Sequence, residues 1–250
     1  MLKISLITVC YNSQATILDT LNSVMEQDYP CIEYILVDGQ STDGTLELVE
    51  PYLGRISHFI SEPDNGIYDA INKGIRLATG DVLGLLHADD TFGATTILSK
   101  IAQTFEHSQA DCVYGDLVYV SRDHPDQVVR YWKSGLYQPS RLRFGWMPPH
   151  PTFYTKRVNF EKYGLYDPTY KIAADYDLML RFLGRFSLQA AYLPIVIVKM
   201  KTGGVSNRSI KHLITKSKED LKALRSNKIG NIYSLIFKNI SKISQFIFRE

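Results

Sequence analysis

Four short apolar runs, each separated from the next by a stretch with helical spacing, dominate the first part of this chain. Lys3–Val9 (KISLITV), Glu33–Val37 (EYILV), Ser57–Ile60 and Val82–Leu86 (VLGLL) read as strands. Between them, Ser13–Gln27, Thr42–Tyr52 and Ile67–Ala78 carry apolar residues at helical intervals, and Thr79-Gly80 is a stop signal. Such alternation with short links predicts βαβ units and a Rossmann-like, mainly parallel sheet flanked by helices. The strands show little polar alternation, as expected where helices cover both faces. Further on, Asp111–Val120 and Gln127–Trp132 read as strands around a polar turn. A loop-rich stretch, Gly135–His150, precedes a helix from Asp175 to Gly184 and a strand near Tyr192–Val198.

After Gly203-Gly204 the pattern turns helical and basic, so the boundary is placed at residue 207. Residues 1–207 are expected to form one α/β domain and residues 208–250 a C-terminal helical extension. Charge divides at the same point. The extension holds ten Lys/Arg against three Asp/Glu, a net of +7, whereas the body holds 18 against 23, a net of −5. Ile232, Ile236, Ile240, Ile243 and Ile247 recur at helical spacing, flanked by Leu235 and Phe246, with Lys238, Lys242 and Arg249 largely off the stripe. This helix is suited to lie on an anionic membrane surface through residues 229–250. The alternatives are packing on the body or on a second copy of the chain. Few aromatics are arranged for base stacking, which argues against nucleic acid.

Cys10, Cys31 and Cys112 are odd in number and form no CxxC pair, so neither a zinc site nor a disulfide framework is indicated. The N-terminus enters an apolar strand without a signal-peptide pattern, and no apolar run reaches the ~18 residues that span a bilayer. A cytoplasmic chain is expected, with peripheral contact at the inner membrane face.

Ligands of open parallel sheets bind beyond the carboxyl ends of the strands. Asp38 closes the second strand, Asp64 follows the third, and Asp89-Asp90 follow the fourth. Each has a local structural reading: Asp38-Gly39 and Asp64-Asn65-Gly66 suit turns, and Asp90-Thr91 suits a helix cap. Their recurrence at successive strand ends favours a shared site. Bare carboxylates repel a diphosphate, whereas a hard cation, Mg²⁺ or Mn²⁺, bridges the two.

The motifs carry a resemblance. Ile7-Thr8-Val9-Cys10-Tyr11-Asn12, Val37-Asp38-Gly39-Gln40-Ser41-Thr42-Asp43-Gly44-Thr45 and Glu62 to Gly74 (EPDNGIYDAINKG) resemble successive segments of the inverting glycosyltransferases of family 2, which have the GT-A fold. The third is similar to a subgroup found in surface-polysaccharide gene sets. Leu86-His87-Ala88-Asp89-Asp90 occupies the family's D-x-D position, Ala174-Asp175-Tyr176-Asp177-Leu178 resembles its ED motif, and Gly203-Gly204-Val205-Ser206 its closing loop. The resemblance implies a nucleotide-sugar donor, with UDP the habitual nucleotide and GDP or dTDP open, and a glycan or lipid-linked acceptor. It implies that Thr8, Tyr11 and Asp38 hold the nucleoside, that Asp69 and Lys73 line the donor pocket with His87 and Ala88 beside it, and that Asp89, supported by Asp90, ligates the metal. Asp175 would be the catalytic base, and His150, Arg143 and Tyr176 are expected on the acceptor side.

Two positions depart from the pattern. His87 replaces the first Asp of D-x-D, and Ala174 replaces the Glu of the ED pair. They leave open a catalytically impaired sugar-nucleotide-binding or scaffold protein. The remaining rival is another metal-dependent, nucleotide-using enzyme, which has no use for the Asp38 segment and Asp175 together.

Overall fold

The computed structural model describes residues 1–202 and 210–238. The Gly203–Ser206 loop, the boundary at residue 207, and Ile240, Ile243, Phe246 and Ile247 of the apolar stripe lie outside the described residues. Nine described strands form one sheet: β1 (Ile4–Cys10), β2 (Ile32–Asp38), β3 (His58–Ser61), β4 (Val82–Leu85), β5 (Asp90–Phe92), β6 (Cys112–Val120), β7 (Val128–Trp132), β8 (Tyr154–Lys156) and β9 (Ala190–Lys201). The helices are α1 (Ile17–Met25), α2 (Thr45–Val49), α3 (Ile67–Leu77), α4 (Ile97–His107), α5 (Arg157–Tyr163), α6 (Ala174–Met179) and α7 (Ile210–Ser226). A further helical stretch covers residues 232–238.

The sheet runs β3-β2-β1-β4-β8-β6-β9-β5, with β7 paired to β6. The first four strands are parallel, as the alternation predicts. Beyond them the sheet is mixed: β8 is antiparallel to both β4 and β6, and β5 is antiparallel to β9. β5 and β8 have three residues each, too few to express a period. Asp90 therefore stands in an edge strand and caps no helix, since α4 begins only at Ile97. The second helix stops short because Pro51 cannot donate a backbone bond, and a 3-10 turn, Glu50–Arg55, replaces its end. The helix at Ala174 widens into a π-helical turn, Leu180–Arg185.

Both faces of the parallel half are covered, which explains the unbroken apolar runs. On β1, Ile7 and Val9 face one core with Ile71, Tyr166 and Leu178, while Ile4, Leu6 and Cys10 face the other with Ile17, Leu21 and Ile101. Strand period two thus distributes one run between two cores.

The described part of the extension packs on α6. Ala223 and Leu224 are fully buried in one core with Ala173, Ala174 and Met179. From the 232–238 helix, Leu235 and Lys238 face inward, with Lys238 Nζ 2.8 Å from Asp220 Oδ1 and 3.1 Å from the centre of the Tyr176 ring. Gly145, at φ 77°, admits this lysine, since a methyl group there would stand 2.2 Å from Lys238 Cβ. Ile232 and Ile236 of the stripe face outward, 45% and 47% exposed.

At the edge opposite the strand carboxyl ends, buried Glu33 ties three strands together. It accepts from Lys3 Nζ at 2.7 Å, Ser5 Oγ at 2.5 Å, Thr79 Oγ1 at 2.6 Å and the Thr79 amide at 2.7 Å. Burial alone pushes the Glu33 carboxyl up, but the bonds from Lys3, Ser5 and Thr79 outweigh it and hold the group down at about 2. A depressed carboxylate contributes stability that is complete above its unfolded value, 4.5, and is lost as pH falls from there to about 2. Glu33→Gln is expected to lower stability at pH 7 by about 1–3 kcal/mol. Urea midpoints across pH 2 to 6 check this: the variant should lack this component of acid destabilisation, and parallel curves for the two proteins would contradict it.

Candidate active site

The loops that leave the carboxyl ends of β1 and β2 are laced together. The Thr42 amide donates to Asn12 Oδ1 at 2.9 Å, the Asn12 amide to Ser41 Oγ at 2.8 Å, and the Ser13 amide to Thr45 Oγ1 at 2.8 Å. Asn12 and Gln40 hold positive φ, 49° and 64°, the left-handed turns that let both loops fold back over the strand ends.

Beneath this surface lie two of the residues assigned to the nucleoside. Thr8 is fully buried and accepts from Tyr34 Oη at 3.0 Å. Asp38 is fully buried and accepts from the Ser41 amide at 3.0 Å, Ser41 Oγ at 2.5 Å and Ser61 Oγ at 2.7 Å. Both form the floor. Tyr11 is 63% exposed above them. A methyl on Gly39 would stand 2.5 Å from Asp64 Oδ2 and 3.3 Å from Tyr11 Cδ2, so the bare glycine lets Tyr11 and Asp64 close on one slot. Asp69 and Lys73 shape the loop that presents Asp64. Asp69 Oδ2 accepts from the Asn65 amide at 3.0 Å, and Lys73 Nζ donates to the Pro63 carbonyl at 2.6 Å while pairing with Glu62 at 2.8 Å.

The turn beyond β4 carries the D-x-D segment. The Asp90 amide donates to the His87 carbonyl at 3.0 Å, and Thr20 Oγ1 of α1 to the Asp90 carbonyl at 2.8 Å. Ala88 is buried, whereas Asp89 is half-buried and reaches the surface. Asp90 is fully buried, and neither carboxyl oxygen has a hydrogen-bond partner. Burial first, and the charge of Asp89 second, push it well above the usual carboxylate range, with Lys201 opposing. An orphaned buried carboxyl is costly, and a cation beside Asp89 would offset that cost. No cluster of three His, Cys, Asp or Glu side chains forms a cation site among the described residues. The oxygen donors still suit Mg²⁺ or Mn²⁺, which bind through one or two carboxylates and take their other ligands from phosphate and water.

A chain of rings leads from this turn to Asp175. The His87 and His150 rings lie 5.8 Å apart, His150 Nε2 is 2.9 Å from Tyr166 Oη, and Tyr166 stacks on Tyr68 at 5.8 Å. Tyr68 Oη donates to the Ile172 carbonyl at 2.6 Å and lies 3.4 Å from Asp175 Oδ1. Burial, then His150, pushes His87 down to about 4, against the pull of Asp89 and Asp175. Burial lowers His150 as well, again opposed by Asp175. Both imidazoles are therefore neutral at pH 7, each with one donor and one acceptor nitrogen. Burial raises Tyr68 and Tyr166, with the charge of Asp175 adding to it, so both phenols remain donors.

His87, Asp89, His150 and Asp175 thus share one neighbourhood. Tyr176 points the other way, 1% exposed beneath Lys238, and Arg143 is exposed on the 3-10 turn Pro139–Phe144. Tyr68 and Tyr166 are neighbours of Asp175 and His150 that sequence reading passes over. Tyr68 sits inside the Glu62–Gly74 motif, but nothing in the neighbourhood of Tyr166 marks it before the stack is seen.

The model of the glycosyl transferase family 2 matches residues 5–174. A PGL/p-HBAD biosynthesis glycosyltransferase of Mycobacterium bovis is 32% identical over 232 residues, covering 90% of this chain and 86% of that protein. Among solved structures, S. aureus TarS 1-349 superposes with a TM-score of 0.65 at 19% identity, over 90% of this chain and 64% of TarS 1-349. The mannosyltransferase PcManGT of Pyrobaculum calidifontis, in complex with GDP-Man and Mn2+, gives 0.64 at 18% identity over 100% of this chain and 76% of that one. The mixed sheet, the site at its carboxyl edge and these matches agree: the chain belongs to glycosyl transferase family 2 and is a glycosyltransferase.

Proposed function

We propose that this glycosyltransferase moves a sugar from a UDP-sugar to a hydroxyl of a glycan or lipid-linked acceptor in surface-polysaccharide biosynthesis, by a single displacement that inverts the anomeric centre. The observation that carries the reading is the position of Asp175, 3.4 Å from Tyr68 Oη and in the electrostatic reach of His150 and of His87, on which Asp89 also acts. Support for the donor class comes from relatives. TarS has been solved with UDP-GlcNAc and PcManGT with GDP-Man, while the Mycobacterium bovis relative is named for PGL/p-HBAD biosynthesis.

In this reading the exposed Tyr11 ring is the platform for the base, beside Asp64, while Asp38 and Thr8 hold the floor through Ser41, Ser61 and Tyr34. Asp175 takes the proton of the acceptor hydroxyl as oxygen attacks the anomeric carbon, a contribution of roughly 10²–10⁴-fold. Neutral His150 donates to an acceptor or phosphate oxygen, its other nitrogen bound by Tyr166. Asp89, with Asp90 behind it, would hold a divalent cation, which supplies positive charge for the departing diphosphate.

Asp175→Asn should leave UDP-sugar affinity within about threefold while UDP release falls by the ~10²–10⁴ of a lost general base. Calorimetry with UDP-sugars and a coupled UDP assay measure both, and survival of turnover removes Asp175 from the role. A thermal-shift panel of UDP-, GDP- and dTDP-sugars with Mn²⁺ identifies the donor, since ligand at 100 times its Kd adds ~2.7 kcal/mol of apparent stability. Asp89→Ala, or excess chelator, should weaken that shift. An unchanged shift under both conditions defeats the metal assignment.

Exposed Ile232, Tyr233, Ile236 and Phe237, with Leu213 and Ile214 of α7, form an outward apolar face on the basic extension. This face is proposed to contact an anionic lipid surface. No described helix is long and apolar enough to cross a membrane. The triple variant Ile232→Ser, Ile236→Ser, Phe237→Ser should float less with phosphatidylglycerol vesicles than wild type, and equal flotation ends the idea.

A further inference from the structure

The segment that carries Asp175 is held from outside the catalytic motifs. Three successive amides, Lys171, Ile172 and Ala173, precede α6 and have no partner within it. All three donate to one carboxylate: Lys171 to Glu219 Oε1 at 2.9 Å, Ile172 to Oε2 at 2.9 Å and Ala173 to Oε2 at 3.0 Å. Glu219 lies on α7, in the extension. Successive backbone N–H groups form a concavity of positive potential, and charge-assisted bonds to it are about twice as strong as neutral ones. The same peptide is gripped from the other side, where Tyr68 Oη of α3 donates to the Ile172 carbonyl at 2.6 Å. Ile172 is thus fixed at both its N–H and its C=O.

This grip matters because it fixes the backbone from which α6, and with it Asp175, departs, in addition to the core packing of the helix. Residues 173 and 174 are alanines, whose methyl groups pack in the core but bring no polar side-chain atom to the turn. Bonds from α7 and from the residue after it secure other points: Lys222 Nζ donates to Thr169 Oγ1 at 3.0 Å, and Asn227 Nδ2 to Asp177 Oδ1 at 2.8 Å. Among the described residues, only Glu219 accepts from the three amides immediately ahead of α6.

We infer that Glu219 is a positioning residue for Asp175, so that the extension completes the catalytic unit through one carboxylate. The inference rests on Asp175 being the base. Loss of the clamp frees the turn, and a displacement near 1 Å at a reacting group costs about 10²-fold in rate. Glu219 is bonded to the Lys171, Ile172 and Ala173 amides and to none of the residues proposed to hold the donor, so ground-state donor binding should be left intact.

The test uses the full chain, with UDP-GlcNAc, UDP-glucose and UDP-galactose as donors, water as acceptor and UDP release as the readout, normalised to UDP-binding sites counted by calorimetry. Glu219→Ala should lower kcat about 10- to 100-fold with UDP affinity unchanged. Glu219→Gln, which keeps one carbonyl acceptor, should fall between it and wild type. Leu224→Ala removes buried tail packing without touching the three amides, and should lower the melting temperature while sparing kcat. The inference is overturned if Glu219→Ala stays within twofold of wild type, or if Leu224→Ala loses kcat in the same proportion. Asp175→Asn in the same assay separates the two readings. If it retains turnover, the base assignment has failed; if it loses turnover while Glu219→Ala does not, only the positioning role has.

Discussion

Parallel pairing of β1 with β2 and β4 sets the level at which everything else acts. Cys10 stands opposite Asp38, and Ile7 opposite Leu85, so the three strands end along one edge and release their loops on the same side. A slip of one residue would turn every side chain of a strand to the other face. On β1 that would exchange the sets containing Ile7 and Leu6 between two cores of different shape. The apolar burial that stabilises the sheet therefore also positions Tyr11, Asp38 and the 87–90 turn relative to one another.

Charge in the mouth follows from burial as much as from sequence. Asp38 satisfies its oxygens with Ser41 and Ser61 and is spent on the floor, whereas Asp90 has no such donors and is pushed toward its neutral form. The two histidines are held neutral by the same low-dielectric setting, although Asp89 and Asp175 lie near them. Acidic and imidazole groups thus meet in one mouth with less standing charge than their number suggests. Only the neutral Asp90 reduces the repulsion of an anion there, since a neutral imidazole gives up positive charge.

Much of this was legible in residue order, and the limits have physical causes. The parallel half shows itself because each strand is long enough for an apolar run, and its motifs lie in short loops whose order survives folding. β5 and β8 are three-residue pieces defined by their partners, so local pattern says nothing of them. Asp90 offered two readings, cap or site, and became a buried strand residue because β9 pairs with it. Asp175 was found by motif, but its surroundings were not. Tyr68 and Tyr166 are 98 positions apart and meet only because α3 and the loop after α5 pack on the same face. Glu219 lay in a stretch whose spacing spoke only of a basic helix. Its partners are backbone amides, which every residue except proline offers, and so no composition or period points to them.

The extension is best understood through where its few acids go. Of its three acidic residues, two fall on consecutive positions of α7, and both turn inward. Glu219 binds the amides before α6, and Asp220, 2% exposed, meets Lys238 over the Tyr176 ring. Removing one partner of a buried pair is costly, about 3–5 kcal/mol, so the Asp220–Lys238 contact resists separation of the 232–238 helix from α7. With these acids facing the body, the outward surface is left to basic and apolar side chains. One stretch of chain can then serve two surfaces without conflict, because helical periodicity turns Glu219 and Asp220 toward the body and Ile214, Ile232 and Ile236 outward.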